Sequence, residues 1–295
     1  MAGAAEHLRV LRPHPNLYAF YDGRIAGQRF APGANWVDDG ALSLGIASYA
    51  IVDGNEALIY DTHISVAHAR RIRAVLTASG VTRFTVLLSH WHLDHVAGTE
   101  AFADCPVIAN TRTAEHLRLR RSAIEAGTDH GLPAITPLIL PTEVFAGGAQ
   151  LQIGRLHVEL IEANIHSDDA TVVWLGPQRI LLAGDTLEDC VTYVGAPQEF
   201  ATHLHDLDRL ATLNPAVILP NHGDPGMIAR GGYKPGLIRA TQDYIRHLLA
   251  CRSDIGLREL PLREVIAAPL AAGVLVWFPA YEAVHRNNLA ATLAL

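Results

Sequence analysis

The run Ser89-His90-Trp91-His92-Leu93-Asp94-His95 places four side chains able to ligate a metal within six residues. Imidazole and carboxylate without thiolate suit Zn2+ and remain compatible with Fe or Mn. In extended chain residues i and i+2 share a face, so His90 and His92 can converge, whereas Asp94 and His95 join them only if the chain turns. Three later residues have the same chemistry and the same setting. His166, Asp185 and His222 each follow a strand-like apolar stretch, at 158–165, 180–183 and 217–219. Ligands supplied from the same ends of several strands can meet at one sheet edge. The chain holds 16 histidines. The others, including His68, His116, His157, His203, His205 and His247, fall in predicted helices or strands away from the run and read as core or surface residues.

The elements that must position these groups follow from periodicity and turn signals. Short strands are expected at 16–21, 45–52 and 57–60, the last two joined by the turn Asp53-Gly54. A helix is expected over 65–79, opening at a serine cap and ending at Gly80. Residues 83–88 read as a buried strand running straight into Ser89 and His90. A strand at 106–109, a helix at 113–126 with an arginine-rich outer face, and a pair of strands within 144–165 come next. Two more strands, 171–175 and 180–183, flank the turn Gly176-Pro177-Gln178. The remainder reads as a helix at 200–213, a strand at 217–219, and helices near 237–251, 257–268 and 283–293.

Length and composition bound the rest. At 295 residues, 49% hydrophobic and 18% charged, the chain can bury a sizeable core and does not read as disordered. The formal charge of −7 argues against a surface built to hold nucleic acid. Glu6, His7 and Arg9 interrupt the N-terminal stretch before any apolar run reaches the length of a secretion signal, and no stretch approaches the ~18 apolar residues of a membrane span. Three cysteines without a CxxC pair suit reduced thiols. A cytoplasmic location, a small-molecule substrate, and no nucleic-acid or membrane partner are the expectations; a homodimer is an open alternative.

On these residues the chain resembles the metallo-β-lactamase superfamily. The resemblance covers roughly residues 16–225 and rests on Asp61 in Tyr60-Asp61-Thr62, the HxHxDH run, His166, Asp185 and His222, in that order. It implies an α/β fold, a four-layer αββα sandwich over residues 1–233, with residues 234–295 as a helical C-terminal extension packing on it. It further implies a dinuclear site. His90, His92 and His166 would hold one Zn2+, Asp94, His95 and His222 the other, and Asp185 would bridge them. Asp61 would steady the ligand loop from behind. The chemistry implied is hydrolysis of a carbonyl-centred bond (lactone, ester, thioester or amide) by a hydroxide shared between the ions, with Asp94, His95 and Asp185 as the catalytic side chains.

Departures from the family pattern narrow that reading. One subclass of zinc β-lactamases has a cysteine ligand where this chain has Asp185 and an arginine where it has His95, so the full HxHxDH with a bridging aspartate looks more like the thioesterases, lactonases and phosphodiesterases of the superfamily. A phosphodiesterase, phosphotriesterase or β-lactamase on the same site is the alternative. From another class, an iron-dependent oxidoreductase has an overlapping ligand set. His63 stands where a glycine is usual, as either a hydrogen donor to the pocket or a structural residue capping the helix near Ser65. Asn221 replaces another glycine. Tyr193, Trp36 in the long early loop 32–40, and Lys234 are the candidate substrate contacts.

Overall fold

The computed structural model describes residues 5–295; the first four residues of the N-terminal stretch lie outside the described residues. The chain forms two compact units, the first closing at Glu162 and the second spanning Ala163–Leu295.

The first unit is built on a seven-stranded mixed sheet in sequence order. Strands β1 (Arg9–His14), β2 (Leu17–Asp22), β3 (Ile46–Asp53) and β4 (Glu56–Tyr60) run antiparallel as a meander, and β5 (Arg83–Leu87), β6 (Val107–Asn110) and β7 (Glu143–Phe145) add in parallel. Parallel neighbours need crossovers, which helices supply. Helix α1 (Val66–Ala78) connects β4 to β5, and the single turn α2 (Leu93–Val96) lies between β5 and β6. Helix α3 (Thr111–Ala126) leads from β6 towards β7. The hydroxyl of Ser65 accepts the His68 amide at the start of α1, and Asn110 Oδ1 accepts the Thr113 amide at 3.0 Å at the start of α3. Both fill orphan donors of a first helical turn.

His68, Ala69, Ile72 and Leu76 form the buried stripe of α1, at the three-and-four spacing that lays one helix face on a sheet. The three apolar residues of this stripe join Phe20, Ile59, Val86, Phe102, Val107 and Leu117 in one core. A hairpin of β8 (Ala149–Ile153) and β9 (Leu156–Glu162) completes the unit. Its turn is tied to the end of β3 by Asp53, which accepts the Arg155 amide at 2.8 Å and its guanidinium at 3.0 Å.

In the second unit β10 (Thr171–Leu175) and β11 (Ile180–Gly184) pair antiparallel, and β12 (Val217–Pro220) lies parallel to β11 after helix α4 (Phe200–Thr212). The helices that follow are α5 (Pro225–Ala229), α6 (Gly236–Ala250), α7 (Ile255–Arg258), α8 (Leu262–Val265), α9 (Ala267–Ala271) and α10 (Tyr281–Leu293). Helix α6 packs on α4, and α10 on α6 and α8.

Three expectations change. The stretch 144–165 holds the end of one strand and two further strands, not a pair, because Gly147 and Gly148 break it after Phe145. The helix expected at 257–268 is divided among α7, α8 and α9: Pro261 has no amide to continue α7 and instead opens α8. The early loop contains a helical turn, Val37–Leu42, whose Val37, Ala41 and Leu42 form a small core with Ile46 and Ile64. Strand β1 adds to the expected set; its residues Arg-Val-Leu-Arg-Pro-His carry no clean alternation. Among the described residues no helix is long and apolar enough to cross a membrane.

Candidate metal centre

In the first unit the chain leaves β5 at Leu87, keeps one more ladder bond from the Leu88 amide to the Ile108 carbonyl, and enters the histidine run. His92 is still extended (ψ 148°), and α2 begins immediately after it. That turn brings Asp94 and His95 round towards His90. The rings of His90 and His95 lie 4.2 Å apart, those of His90 and His92 4.5 Å apart, and His90 Nε2 faces His92 Nδ1 at 2.9 Å. His95 Nε2 is 3.6 Å from Asp94 Oδ1. His90 and His95 are buried, while the Asp94 side chain keeps 19% of its surface exposed.

Asp61 governs this loop from behind. It is fully buried and holds a left-handed backbone (φ 66°), which aspartate tolerates better than most residues. Its Oδ1 accepts the Ser89 amide at 2.7 Å, and its Oδ2 accepts the Ser89 hydroxyl at 2.7 Å and faces His95 Nδ1 at 2.9 Å. A carboxylate only accepts, so His95 carries its proton on Nδ1 and Nε2 is left with its lone pair. The single Ser89 hydroxyl proton is committed to Asp61, so Ser89 Oγ accepts from His90 Nδ1 at 2.9 Å, which leaves His90 Nε2 unprotonated and accepting from His92 Nδ1. One carboxylate thereby sets two imidazoles.

Neighbouring residues brace the loop. Thr62 donates its amide and hydroxyl to the His95 carbonyl, at 2.7 and 3.0 Å. Gly98 packs against this turn so closely that a Cβ would collide with the Thr62 carbonyl. Trp91 is buried under Arg120, whose guanidinium carbon lies 4.0 Å from the ring centroid.

In the second unit His166 has φ 68° and a side chain only 6% exposed. Its Nδ1 lies 2.9 Å from the Tyr193 carbonyl, which can only accept, so Nε2 is again the unprotonated nitrogen. Asp185 follows β11 and His222 follows β12. The Asn221 amide donates to the Gly184 carbonyl at 2.9 Å, which keeps the two chain ends side by side. Asp185 Oδ2 stands 3.3 Å from His222 Nε2 and 3.7 Å from His166 Nε2. The one carboxylate oxygen thus faces both imidazoles.

Glu188 joins this group without a motif to mark it in the sequence. It is 2% exposed, accepts the Tyr193 amide at 2.9 Å and the Tyr281 hydroxyl at 3.1 Å, and its Oε1 is 3.8 Å from His166 Nδ1. Burial, with the charge of Asp185 adding to it, pushes its carboxyl up to about 8. His166, Asp185 and Glu188 each offer a ligand atom within 4.8 Å of the others. Its position three residues past Asp185 is the one sequence signal that points to it.

The remaining candidates are distributed as follows. His63 is fully buried, with Nδ1 accepting the Ile64 amide and its ring stacked 4.7 Å from His68; burial, reinforced by His68, keeps its pKa well below the ordinary histidine range. The cap of α1 is Ser65, not His63. His68 is a core residue bonded to Asp22 at 3.0 Å. Trp36 donates its indole N–H to the Pro133 carbonyl at 2.9 Å and packs on the core of the first unit. Tyr193 is 39% exposed, its ring 6.0 Å from that of His166. Lys234 is exposed just before α6. Asn221 is buried.

The chain belongs to the metallo-β-lactamase superfamily, whose family model matches residues 43–222, more than half of it. A "Beta-lactamase-like protein 2 homolog" of Caenorhabditis elegans is 24% identical over 215 residues, which is 72% of this chain and 64% of that protein; the chain therefore spans just under two thirds of that relative. Among solved structures, the "Metallo-beta-lactamase from Pontibacter korlensis" aligns with 81% of this chain and 99% of its own, at TM-score 0.61 and 17% identity. The DIM-1 metallo-β-lactamase exposed to ceftazidime aligns with 82% and 98%, at TM-score 0.59 and 18% identity. At those identities the likeness shows the fold, the α/β sandwich of this superfamily, here with a helical C-terminal extension.

Proposed function

We propose that this protein is a metal-dependent hydrolase of a carbonyl-centred bond in a small molecule, with two zinc ions held by seven side chains. His90, His92 and His166 would hold the first ion, Asp94, His95 and His222 the second, and Asp185 would be shared. One observation carries the reading: fixed acceptors hold the rear protons of His90, His95 and His166, so in each ring Nε2 is the unprotonated nitrogen, the one that can ligate a metal. Metal-ligating histidines ordinarily have such a partner on the other nitrogen, because it fixes the tautomer and the ring direction. Five imidazoles and two carboxylates, with no thiolate, fit zinc.

Bound there, the ions would supply an activated water at neutral pH and a polarising charge for the substrate oxygen. Asp94, the least buried of the second group, accepts a hydrogen bond from the attacking water and orients it. Tyr193, 39% exposed with its ring 6.0 Å from that of His166, would touch the leaving oxygen. Superfamily membership supports hydrolysis, and Asp185 with His95 supports ester, thioester or lactone substrates over β-lactams.

The test is a panel of chromogenic lactone, thioester, β-lactam and phosphodiester substrates assayed with zinc and with manganese. Turnover of a lactone or thioester is expected, lowered by orders of magnitude in His92→Ala and Asp185→Ala with the fold retained. Full activity in either variant contradicts the assignment. Turnover of the phosphodiester alone replaces the substrate class.

A further inference from the structure

The segment from Thr186 to Ala196 belongs to no helix or strand, yet all of it up to Val194 except Tyr193 is buried. Backbone groups in such a segment find partners in side chains, or they are left unpaired at a cost. Here the last helix provides them. Asn288 of α10 is fully buried, its Nδ2 donates to the Thr192 carbonyl at 3.0 Å, and its Oδ1 accepts the Val194 amide at 2.9 Å. One carboxamide brackets Tyr193 from both sides. The donor and acceptor ends cannot be exchanged, since a carbonyl requires the NH2 and an amide requires the oxygen.

Between those two bonds lies the Tyr193 peptide, whose carbonyl faces His166 Nδ1 at 2.9 Å. Glu188 accepts the amide of the same residue and in turn receives the Tyr281 hydroxyl, also from α10. The rear acceptor of His166 is thus oriented by a helix about a hundred residues further along the chain. Asn288 Nδ2 makes a third contact, 3.2 Å to the Tyr244 hydroxyl, which lies 3.1 Å from His285 Nδ1.

We propose that Asn288 is a positioning residue for the metal centre: by holding the peptides on either side of Tyr193, it aims the carbonyl that fixes the tautomer and direction of the His166 ring. The C-terminal helix is in this sense part of the ligand scaffold. The inference rests on the reading of His166 as a ligand. Partners one layer behind a metal ligand typically contribute 10–100-fold to metal affinity.

The experiment compares Asn288→Asp, which exchanges the donor facing the Thr192 carbonyl for an acceptor at almost unchanged volume, with Tyr244→Phe, which removes a hydroxyl from the same buried contact and leaves residues 192–194 untouched. Zinc affinity is read by competition with a chromophoric chelator, ligand geometry by the visible spectrum of the cobalt-substituted protein, and structure by thermal unfolding of the metal-free chain. Asn288→Asp is expected to weaken one of the two zinc equivalents about 10–100-fold and alter the cobalt spectrum. Tyr244→Phe is expected to lower the unfolding temperature with both affinities intact. Asn288→Ser serves the same purpose if the aspartate variant does not fold.

Wild-type affinities and spectrum in the Asn288 variants overturn the proposal, as does an equal loss in Tyr244→Phe. If wild type takes up two zinc ions and the Asn288 variants match it, this inference alone falls. If wild type takes up none, the metal-centre reading falls and the inference with it.

Discussion

Replacing Asp61 by Asn is the sharpest single perturbation of the ligand loop. The substitution keeps the side-chain shape and a residue type that accepts the left-handed backbone at φ 66°, so it introduces little conformational strain. What changes is proton placement. Asn Oδ1 can still accept the Ser89 amide, which puts the NH2 where Oδ2 received the Ser89 hydroxyl and faced His95 Nδ1. Facing a donor, His95 must turn Nδ1 into an acceptor and move its proton to Nε2, the nitrogen offered to the metal. Ser89 can likewise reverse its hydroxyl towards His90 Nδ1, with the same result for that ring.

Charge-assisted bonds contribute about 1.5–3 kcal/mol each and neutral ones about 0.5–1.5 kcal/mol. Three charge-assisted bonds become neutral ones, each weaker by about 1–1.5 kcal/mol, so the metal-free protein should lose about 3–4 kcal/mol on this reckoning. Metal binding must in addition reverse two tautomers, and a loss of about 10–100-fold in zinc affinity is expected. Denaturant titration of the metal-free chain measures the first quantity and chelator competition the second. A variant with wild-type zinc affinity, or one whose loss lies wholly in metal-free stability, refutes the tautomer argument.

Other outcomes follow from particular residues. His203 is fully buried with no hydrogen-bond partner on either ring nitrogen among the described residues, and burial, with the nearby His166 reinforcing it, lowers its pKa to about 4. The unfolded chain takes up this proton below about pH 6.5 and the folded chain only near 4, so stability is complete above 6.5 and falls by about 3 kcal/mol on acidification between those values. His203→Phe should flatten that part of the curve in denaturant titrations at pH 7 and pH 4.5; parallel curves would contradict it. Gly98→Ala should destabilise the first unit by about 1–3 kcal/mol, because the added methyl meets the Thr62 carbonyl and the Ala69 side chain. An unchanged unfolding temperature would mean the α2 turn yields more easily than its packing suggests.

Much of the ligand loop and its supports is legible in the amino-acid sequence. The HxHxDH run follows a buried strand, and its need for a turn after His92 is met by α2. The strand 171–175 and the helix at 200–212 lie within a residue of their sequence expectation, because buried strands and amphipathic helices carry dense local signals. Strand β1 is hidden because an edge strand with two arginines and a proline resembles a loop in composition. Glu188 and Asn288 are hidden for a different reason. Their roles depend on bonds across 5 residues in one case and about 95 in the other, made to an irregular segment whose path no periodicity encodes. His63 and Trp36 read equally well as pocket or packing residues from type alone, and only their partners, Ile64 with His68 and Pro133, distinguish the environments.

The most direct test of the central claim is anomalous diffraction at the zinc edge from crystals of protein purified without added metal, combined with elemental analysis. Two zinc ions per chain, one beside His90, His92 and His166, one beside Asp94, His95 and His222, and Asp185 reaching both, is the predicted result. Absence of any ion after zinc soaking, or stoichiometric iron with thiol-dependent oxygen uptake, would contradict it.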